Sequence, residues 1–254
     1  MPRLSQQLLL SASQYNKDAK SSPSADGHLR RLTHLNLAER GLEAIQPDDV
    51  LPICRALTTL YLYDNEIETV ENLDVLGPTL TSLYLQNNLL RSLDSGLARL
   101  GKLTKLYLNG NRIAHVAGLV GLPLAELYIG RQKLPPGTAM TFDADSLASL
   151  ARTLTKLDVS ANGIVDCSPL GALQRLDEID LSENAIETAE PVGALLAGAR
   201  FARTLDLRGC PLTRRPKYTD GIVVLSMRLA VLDGQEVNEN QRRFLIAKAQ
   251  RARK

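Results

Sequence analysis

The chain has 254 residues, of which 44% are hydrophobic but only 4% aromatic, with no tryptophan, so its core must consist mainly of aliphatic side chains. Its formal charge of +2 is divided unevenly, because residues 1–213 carry 20 basic and 24 acidic side chains whereas residues 214–254 carry ten basic and four acidic ones. The cysteines are scattered, which excludes a disulfide framework, and no apolar run approaches the roughly 20 residues that cross a bilayer, which excludes a membrane protein. We therefore expect a cytoplasmic protein. The acidic body argues against binding to nucleic acid.

The N-terminal segment, residues 1–28, is predicted to be a capping helix followed by a linker. Apolar residues recur at roughly helical spacing over residues 4–16, and the run Leu8–Leu10 is too short for the core of a signal peptide. Ser21–Gly27 has the small, polar composition of a flexible linker. We expect the helix to cover the open end of the repeated segments that begin at residue 29.

Residues 29–213 contain eight copies of the pattern L-x-x-L-x-L-x-x-N-x-I/L, which is typical of a leucine-rich-repeat solenoid. Successive asparagines at Asn65, Asn88 and Asn111 are each 23 residues apart. Three copies are degenerate, with a different residue where asparagine is expected. The eight copies begin at Leu32, Leu57, Leu80, Leu103, Leu124, Leu154, Leu176 and Ala202, and the substituted asparagine positions are Arg40, Gln132 and Cys210.

Each residue type that recurs in this pattern has a structural role. The L-x-L centre predicts a short strand whose leucines point into the core while the residue between them faces outward. The asparagine amide then satisfies backbone groups in the turn. We therefore predict an α/β fold with a curved parallel sheet on the concave face, short helices or 3-10 turns on the convex face, and helical caps. Arg40 and Gln132 predict weaker ladder geometry, whereas the Cys210 thiol retains a weak donor.

One repeat is longer than the others, because 30 residues separate Gln132 from Asn162. The extra segment contains Pro135, Pro136 and Gly137 and then a helix-like stretch, Asp145–Arg152. It predicts a surface excursion with a longer convex helix.

The outward position between the second and third leucines of each repeat forms the candidate binding site. Four tyrosines occupy it in successive repeats and are followed by three aspartates. Tyrosine supplies a large contact area with a polar tip, and stacked aspartates repel unless a basic partner or a lysine such as Lys156 neutralises them. We predict a partner that is apolar beside the tyrosines and basic beside the aspartates; the alternative is that both types are tolerated on a solvated face. The predicted contacts are Tyr61, Tyr84, Tyr107, Tyr128, Asp158, Asp180 and Asp206.

The C-terminal part is predicted to be a repeat cap, residues 214–237, followed by a basic helix, residues 238–254. Phe244, Leu245 and Ile246 give this helix an apolar stripe. It is a second candidate interface, for an acidic surface such as tubulin, and the alternative is a solvated helix docked on the last repeat. Its candidate contacts are Arg242, Arg243, Lys248 and Arg251.

Nothing in the sequence predicts catalysis. The three histidines, His28, His34 and His115, are scattered and belong to no zinc or triad pattern, and the glycines fall in repeat turns rather than in a phosphate loop. We therefore predict no catalytic residue, no metal and no cofactor.

Five segments of the chain resemble the leucine-rich-repeat regulatory subunits of protein phosphatase 1, a family with cilium-associated members. The segments are Leu60–Asn65, Leu83–Asn88, Gln132–Leu154, Pro216–Asp220 and Val231–Leu245. The resemblance covers about residues 30–247 and implies that the concave face binds the phosphatase catalytic subunit. It also implies a regulatory or targeting role at a microtubule-based structure, such as the axoneme of a cilium or flagellum, a centrosome or a basal body. The chain lacks the Val-x-Phe docking motif that many such regulators use.

A second resemblance leaves an alternative open. The basic terminal helix is similar to that of the leucine-rich-repeat light chain of axonemal dynein. This resemblance implies a structural axonemal or microtubule-associated adaptor whose partners are tubulin or axonemal proteins, with no phosphatase bound.

Overall fold

The computed structural model describes residues 5–13, 24–46, 51–93 and 96–252, and within them a ten-stranded sheet runs through all eight repeats. Eight of its strands are three residues long, and each pairs in parallel with the strand of the next repeat. These strands, labelled in chain order, are β1 (His34–Asn36), β2 (Thr59–Tyr61), β3 (Ser82–Tyr84), β4 (Lys105–Tyr107), β6 (Glu126–Tyr128), β8 (Lys156–Asp158), β9 (Glu178–Asp180) and β10 (Thr204–Asp206).

The central residue of each of these strands is buried, while its neighbours are mostly half-buried. Pairing is in register, so the central leucines lie side by side along the sheet: Leu83 pairs with Leu106, and Leu106 with Leu127. All eight central positions are 3% exposed or less, and they form one continuous core with the leucines of the convex side. The chain is thus an α/β leucine-rich-repeat solenoid, as predicted.

Buried asparagines connect successive repeats after each strand. The side-chain amide of Asn111 donates to the carbonyl oxygens of Leu85 at 2.9 Å and Leu108 at 2.8 Å, and its Oδ1 accepts from the backbone N–H of Leu90 at 3.1 Å. Asn65, Asn88, Asn162 and Asn184 make the same kind of contact. These amides satisfy backbone groups that water cannot reach.

The prediction of weak ladder geometry at Gln132 is wrong. Its Nε2 donates to the carbonyl of Leu108 at 2.9 Å, and its Oε1 accepts from the N–H of Ile113 at 2.9 Å. Glutamine has the same amide on a stem one methylene longer, so it reproduces the asparagine contacts. The Cys210 thiol donates to the carbonyl of Leu181 at 3.3 Å, in keeping with the weak donor expected there.

The convex side consists of short helical turns, as expected, and holds one unpredicted strand pair. Its 3-10 turns are Leu51–Ile53, Asp74–Leu76, Ser168–Ala172 and Pro211–Arg214, and its α-helices are α3 (Ala144–Leu150) and α4 (Ala189–Gly198). Helix α3 lies in the long repeat, and the Asp143 carboxylate caps it by accepting from the N–H of Ser146 at 2.8 Å. Strands β5 (His115–Val116) and β7 (Thr141–Phe142) pair in parallel there and tie the long repeat to its neighbour.

At the N-terminal end, two short helices cover the core. Helix α1 (Gln6–Ala12) buries Leu9, and helix α2 (Ala25–Arg31) buries Leu29. The prediction of a linker over Ser21–Gly27 is wrong from Ser24 onward, because the Ser24 hydroxyl accepts from the N–H of Gly27 and begins α2. Residues 21–23 of the predicted linker, and residues 4 and 14–16 of the predicted capping helix, lie outside the described residues.

At the C-terminal end, helix α5 (Tyr218–Val223) precedes a hairpin that extends the sheet. Strand β11 (Val231–Leu232) pairs in parallel with β10, and β12 (Gln235–Glu236) returns antiparallel to it. Helix α6 (Glu239–Ala252) follows, with the Asn238 side chain accepting from the N–H groups of Asn240 and Gln241. The side chains of residues 249–252 lie outside the description, so it does not include the predicted contact Arg251.

Candidate protein-binding face

Tyr61, Tyr84, Tyr107 and Tyr128, the tyrosine row, stack on one another across β2, β3, β4 and β6. Their ring centroids are 4.7, 4.3 and 4.6 Å apart in order along the row. The interplanar angle falls from 29° for the first pair to 2° for the last, so the rings are close to parallel. In-register pairing sets this spacing, because neighbouring strands of a sheet lie about 4.8 Å apart. The four rings thus form a continuous, ordered aromatic surface that extends across four neighbouring strands.

The tyrosine row is fixed at its end by Glu126. The hydroxyl of Tyr128 donates to Glu126 Oε2 at 3.3 Å, and the Glu126 carboxylate also pairs with Lys105 Nζ at 2.9 Å. Burial and nearby negative charge raise the pKa values of Tyr107 and Tyr128 above their ordinary value. Both hydroxyls therefore stay protonated, and both donate to the Glu126 carboxylate.

Beside the first tyrosines, the face has a shallow depression of about 500 Å³. The buried Oε1 of Gln86 has no hydrogen-bond partner among the described residues. A buried amide oxygen without a donor is costly, so this atom is a ready acceptor for a donor brought by a bound molecule. The depression is lined by Tyr61, Tyr63, Tyr84, Gln86, Asn87 and Asn109.

Asp158, Asp180 and Asp206, the aspartate row, continue the same column across β8, β9 and β10. The Oδ1 atoms of Asp158 and Asp180 accept from the N–H groups two residues further on, those of Ser160 and Ser182, both at 2.9 Å. These bonds fix each carboxylate in orientation. A second depression, of about 270 Å³, lies between the last tyrosine and the aspartates.

The junction between the two rows is built around Gly130. Asn109 Nδ2 donates to Asp158 Oδ2 at 2.8 Å, although the strand of Tyr128 lies between them. A Cβ atom at Gly130 would lie 2.6 Å from Asp158 Oδ1 and 2.5 Å from Ser160 Oγ, so only glycine leaves room for this arrangement. The repeat pattern gave no signal for this role.

The three aspartates differ in electrostatic environment. Burial raises the pKa of Asp180 above its ordinary value, and the flanking carboxylates of Asp158 and Asp206 raise it further against the opposing Ser182 hydrogen bonds. Burial also acts to raise the pKa of Asp206, but the hydrogen bonds and charge of the Arg208 guanidinium outweigh it and lower the pKa. Asp180 is thus the carboxylate that the fold holds at an electrostatic cost.

The predicted role of Lys156 as a neutralising partner of the aspartates is wrong. Its Nζ pairs with Glu178 Oε1 at 2.8 Å, because both side chains lie in the neighbouring outward column of adjacent strands. Among the described residues, Asp158 and Asp180 have no ion-pair partner. The sequence analysis also missed Asp233, an acidic residue that directly follows Leu232, the β11 partner of Leu205. Its carboxylate is occupied, accepting from Leu207 N–H at 2.7 Å and Tyr218 Oη at 3.0 Å.

The second candidate interface, on α6, requires a correction at Arg242. This side chain is 1% exposed, its guanidinium donates to the carbonyls of Met227 and Leu229, and it pairs with Glu239. It anchors the helix instead of offering a surface charge. Arg243 and Lys248 are exposed, as is Phe244 at 66%.

The described residues contain neither a candidate membrane span nor a candidate metal site. No helix there is long and apolar enough to span a bilayer. No group of three or more histidine, cysteine, aspartate or glutamate side chains there is placed to hold a metal ion.

A pair of substitutions tests the contrast between Asp180 and Asp206 through stability. Because the pKa of Asp180 is raised above its ordinary value of 3.8 in the folded state, its carboxylate lowers the stability of the protein as pH rises from 3.8 through the folded pKa. We expect Asp180→Asn to raise the free energy of unfolding at pH 7, and the gain to vanish in acid.

Asp206→Asn is the matched variant with the opposite expected sign. The folded-state pKa of Asp206 is lowered, so its carboxylate stabilises the fold above the ordinary pKa of aspartate, and this stabilisation is lost as pH falls through the folded pKa. Urea unfolding at a series of pH values from about 7 down to about 2 measures both effects. Two variants that shift stability in the same direction at pH 7 contradict this assignment.

Comparison with known proteins supports the leucine-rich-repeat fold but identifies no binding partner of this chain. Residues 55–113 match the family described as leucine rich repeat. An internalin from Listeria monocytogenes superposes with a TM-score of 0.64 at 21% identity, over 93% of this chain and 64% of that one, so the chain spans less than two thirds of its length. Internalin C2 of the same organism gives 0.53 at 26% identity, over 80% and 91%. The receptor chain of a TLR13–ssRNA13 complex gives 0.61 at 24%, over 73% and 26%.

Proposed function

We propose that this chain is a non-enzymatic scaffold that binds the catalytic subunit of protein phosphatase 1 through its concave face, as a regulatory or targeting subunit at a microtubule-based structure of a cilium or flagellum. Leucine-rich-repeat proteins are in general protein-binding scaffolds. The observation that carries the proposal is the stacked tyrosine row running directly into the aspartate row, in which Asp158 and Asp180 have no ion-pair partner among the described residues.

The tyrosine row has the properties of an interface centre. Its rings are already stacked, so little side-chain entropy remains to be lost on binding, and rigid aromatic side chains contribute much of the binding energy at protein interfaces. The buried acceptor Gln86 Oε1 lies in the same depression and would gain a partner. This half of the face suits a partner surface that is apolar and carries a few donors.

The aspartate row supports a basic partner. Asp180 is retained although burial and its neighbours disfavour its charged form, and no cation of the described residues pairs with Asp158 or Asp180. Groups held at a cost in stability are often kept for binding. A lysine or arginine of a partner placed between these carboxylates would remove the repulsion and add charge-assisted hydrogen bonds.

The identity of the partner rests on resemblance to the phosphatase regulators. The segments that carry it include LYLYDN and LYLQNN, Leu60–Asn65 and Leu83–Asn88, which contain β2 and β3 residues of the tyrosine row. Because the chain lacks a Val-x-Phe motif, the catalytic subunit would have to bind the concave face itself. The ciliary or flagellar setting follows from the same resemblance.

A pull-down from ciliated-cell extract tests the proposal. Wild type should retain the phosphatase catalytic subunit, and the triple variant Asp158→Lys, Asp180→Lys, Asp206→Lys should lose it. Each substitution replaces a negative charge with a positive one, so the variant would repel a basic partner surface. A control variant reverses three acidic residues away from the aspartate row, Glu43→Lys, Glu66→Lys and Glu68→Lys. It has the same net charge as the triple aspartate variant and should still retain the phosphatase catalytic subunit. Equal retention by all three proteins would remove the concave face from the proposal.

A second candidate function is a structural adaptor of an axoneme or other microtubule assembly, favoured by the exposed basic side of α6. Arg243 and Lys248 are exposed beside Phe244, and the buried Arg242 holds the helix on the cap. In the same pull-down, Arg243→Glu with Lys248→Glu leaves this anchor intact, unlike truncation after Val237. If tubulin or axonemal proteins come down with wild type, no phosphatase does, and this pair abolishes their capture, the adaptor function replaces the regulatory one.

A further inference from the structure

A cleft of about 540 Å³ lies on the flank of the solenoid, at the edge where the strands β9 and β10 begin. It is separate from the concave face and belongs to none of the functions above. We name it the arginine cleft. It is lined by Gly171, Gln174, Gly198, Arg200, Phe201 and Arg228.

Phe201 is the centre of the cleft and lies between two repeat positions occupied by arginine. Arg175, Phe201 and Arg228 each stand three residues before the first residue of a strand, in β9, β10 and β11 respectively. The parallel register therefore brings these side chains together. The Cζ atoms of Arg175 and Arg228 lie 5.7 and 5.0 Å from the centroid of the Phe201 ring, within the range of a cation–π contact.

The charges of this cluster are unneutralised. Arg175, Arg200 and Arg228 are exposed, and within residues 5–13, 24–46, 51–93 and 96–252 none of the three forms an ion pair. Arg131 and Arg208, in contrast, pair with Glu183 and Asp206. Phe201 is 46% exposed, so an apolar surface remains open among the three guanidinium groups.

The floor of the cleft is made of closely packed backbone. A Cβ atom at Gly198, the last residue of α4, would lie 2.1 Å from the carbonyl oxygen of Gly171 in the 3-10 turn Ser168–Ala172. The two glycines let these elements touch and leave the cleft free of side chains at its base. This shape suits an extended chain better than a folded surface.

We propose that the arginine cleft binds an extended acidic segment of a partner protein, with its carboxylates on Arg175, Arg200 and Arg228 and one apolar side chain on the exposed face of Phe201. Arginine presents a planar set of donors that matches carboxylate geometry, and the three charges lack a partner within the described structure. A single aromatic ring offers no series of platforms for stacked bases, so a protein segment fits better than a nucleic acid.

Fluorescence anisotropy with a labelled peptide of about twelve residues, rich in glutamate and with one central leucine, tests this proposal. We expect saturable binding to the full chain that weakens at least about tenfold in Arg175→Glu with Arg228→Glu, and about threefold in Phe201→Ala. The matched control, Arg55→Glu with Arg91→Glu, has the same net charge and reverses two exposed arginines of the first repeats; it should bind within about twofold of wild type.

Two further probes separate the competing explanations. A peptide with every glutamate replaced by glutamine should not bind, and a single-stranded oligonucleotide of about twelve nucleotides should bind more weakly than the acidic peptide. Equal loss in the site and control variants would mean non-specific attraction and would overturn the proposal. Tighter binding of the oligonucleotide, lost in the same site variants, would overturn it in favour of nucleic acid. Unchanged thermal unfolding of each variant establishes that the fold is intact.

Discussion

Leu106→Ala is expected to lower the free energy of unfolding by about 2–5 kcal/mol, because it empties a buried position in the middle of the leucine ladder. Leu106 is 0% exposed and is paired in register with Leu83 on one side and Leu127 on the other. Each repeat of a solenoid is stabilised mainly by its neighbours, so a cavity here weakens two interfaces at once.

Urea unfolding followed by circular dichroism measures this loss, with Val75→Ala as the control. Val75 is 51% exposed on the convex 3-10 turn Asp74–Leu76, so its truncation should cost less than about 1 kcal/mol. If Leu106→Ala unfolds at the same urea concentration as wild type, the assignment of this residue to the core is wrong.

The double substitution Tyr84→Ala, Tyr107→Ala should weaken binding of the phosphatase catalytic subunit by about 3–4 kcal/mol, or several hundredfold. These rings are the middle pair of the row, with centroids 4.3 Å apart and an interplanar angle of 7°. Their removal takes away contact area at the centre of the proposed interface and also releases Tyr61 and Tyr128 from the stack. Both effects act in the same direction.

The control for this variant is Phe201→Ala, which removes an exposed aromatic ring from the flank instead of the concave face. It should leave phosphatase affinity within about twofold of wild type. Surface plasmon resonance with the purified catalytic subunit measures both variants. Comparable losses in the two variants, or no loss in the double variant, would show that the tyrosine row is not the centre of the interface.

The repeated part of the fold was predictable because its signal is redundant. Eight copies of one pattern fix the strand centres independently, and the equal intervals between asparagines imply the in-register stacking that the tyrosines display. The identity of the outward columns follows directly, since a residue at a fixed position in each repeat must lie beside its counterparts. The tyrosine and aspartate rows were therefore visible before the structure.

Features that depend on single contacts were not predictable in this way. Arg242 reads as one of several basic residues on a helix, and its burial depends on how α6 packs against the carbonyls of Met227 and Leu229. Lys156 lies two residues before Asp158, but it pairs with Glu178, its register partner on the next strand. The sequence shows the sign of a side-chain charge, whereas its interaction partner depends on the tertiary structure.

The arginine cleft lies between these two cases. Its residues lie three positions before each strand in the sequence, but the repeat pattern specifies no residue type at that position, so the pattern does not indicate a site there. Arg175, Phe201 and Arg228 become a site only because the parallel register of β9, β10 and β11 stacks them.

Isothermal titration calorimetry of the purified chain with the purified phosphatase catalytic subunit tests the central claim most directly. Wild type should bind with one-to-one stoichiometry, the triple variant Asp158→Lys, Asp180→Lys, Asp206→Lys should show no measurable heat of binding, and the charge-matched variant Glu43→Lys, Glu66→Lys, Glu68→Lys should bind like wild type. That result assigns the interaction to the concave face. Absence of binding by wild type, or equal binding by the two variants, would contradict the account.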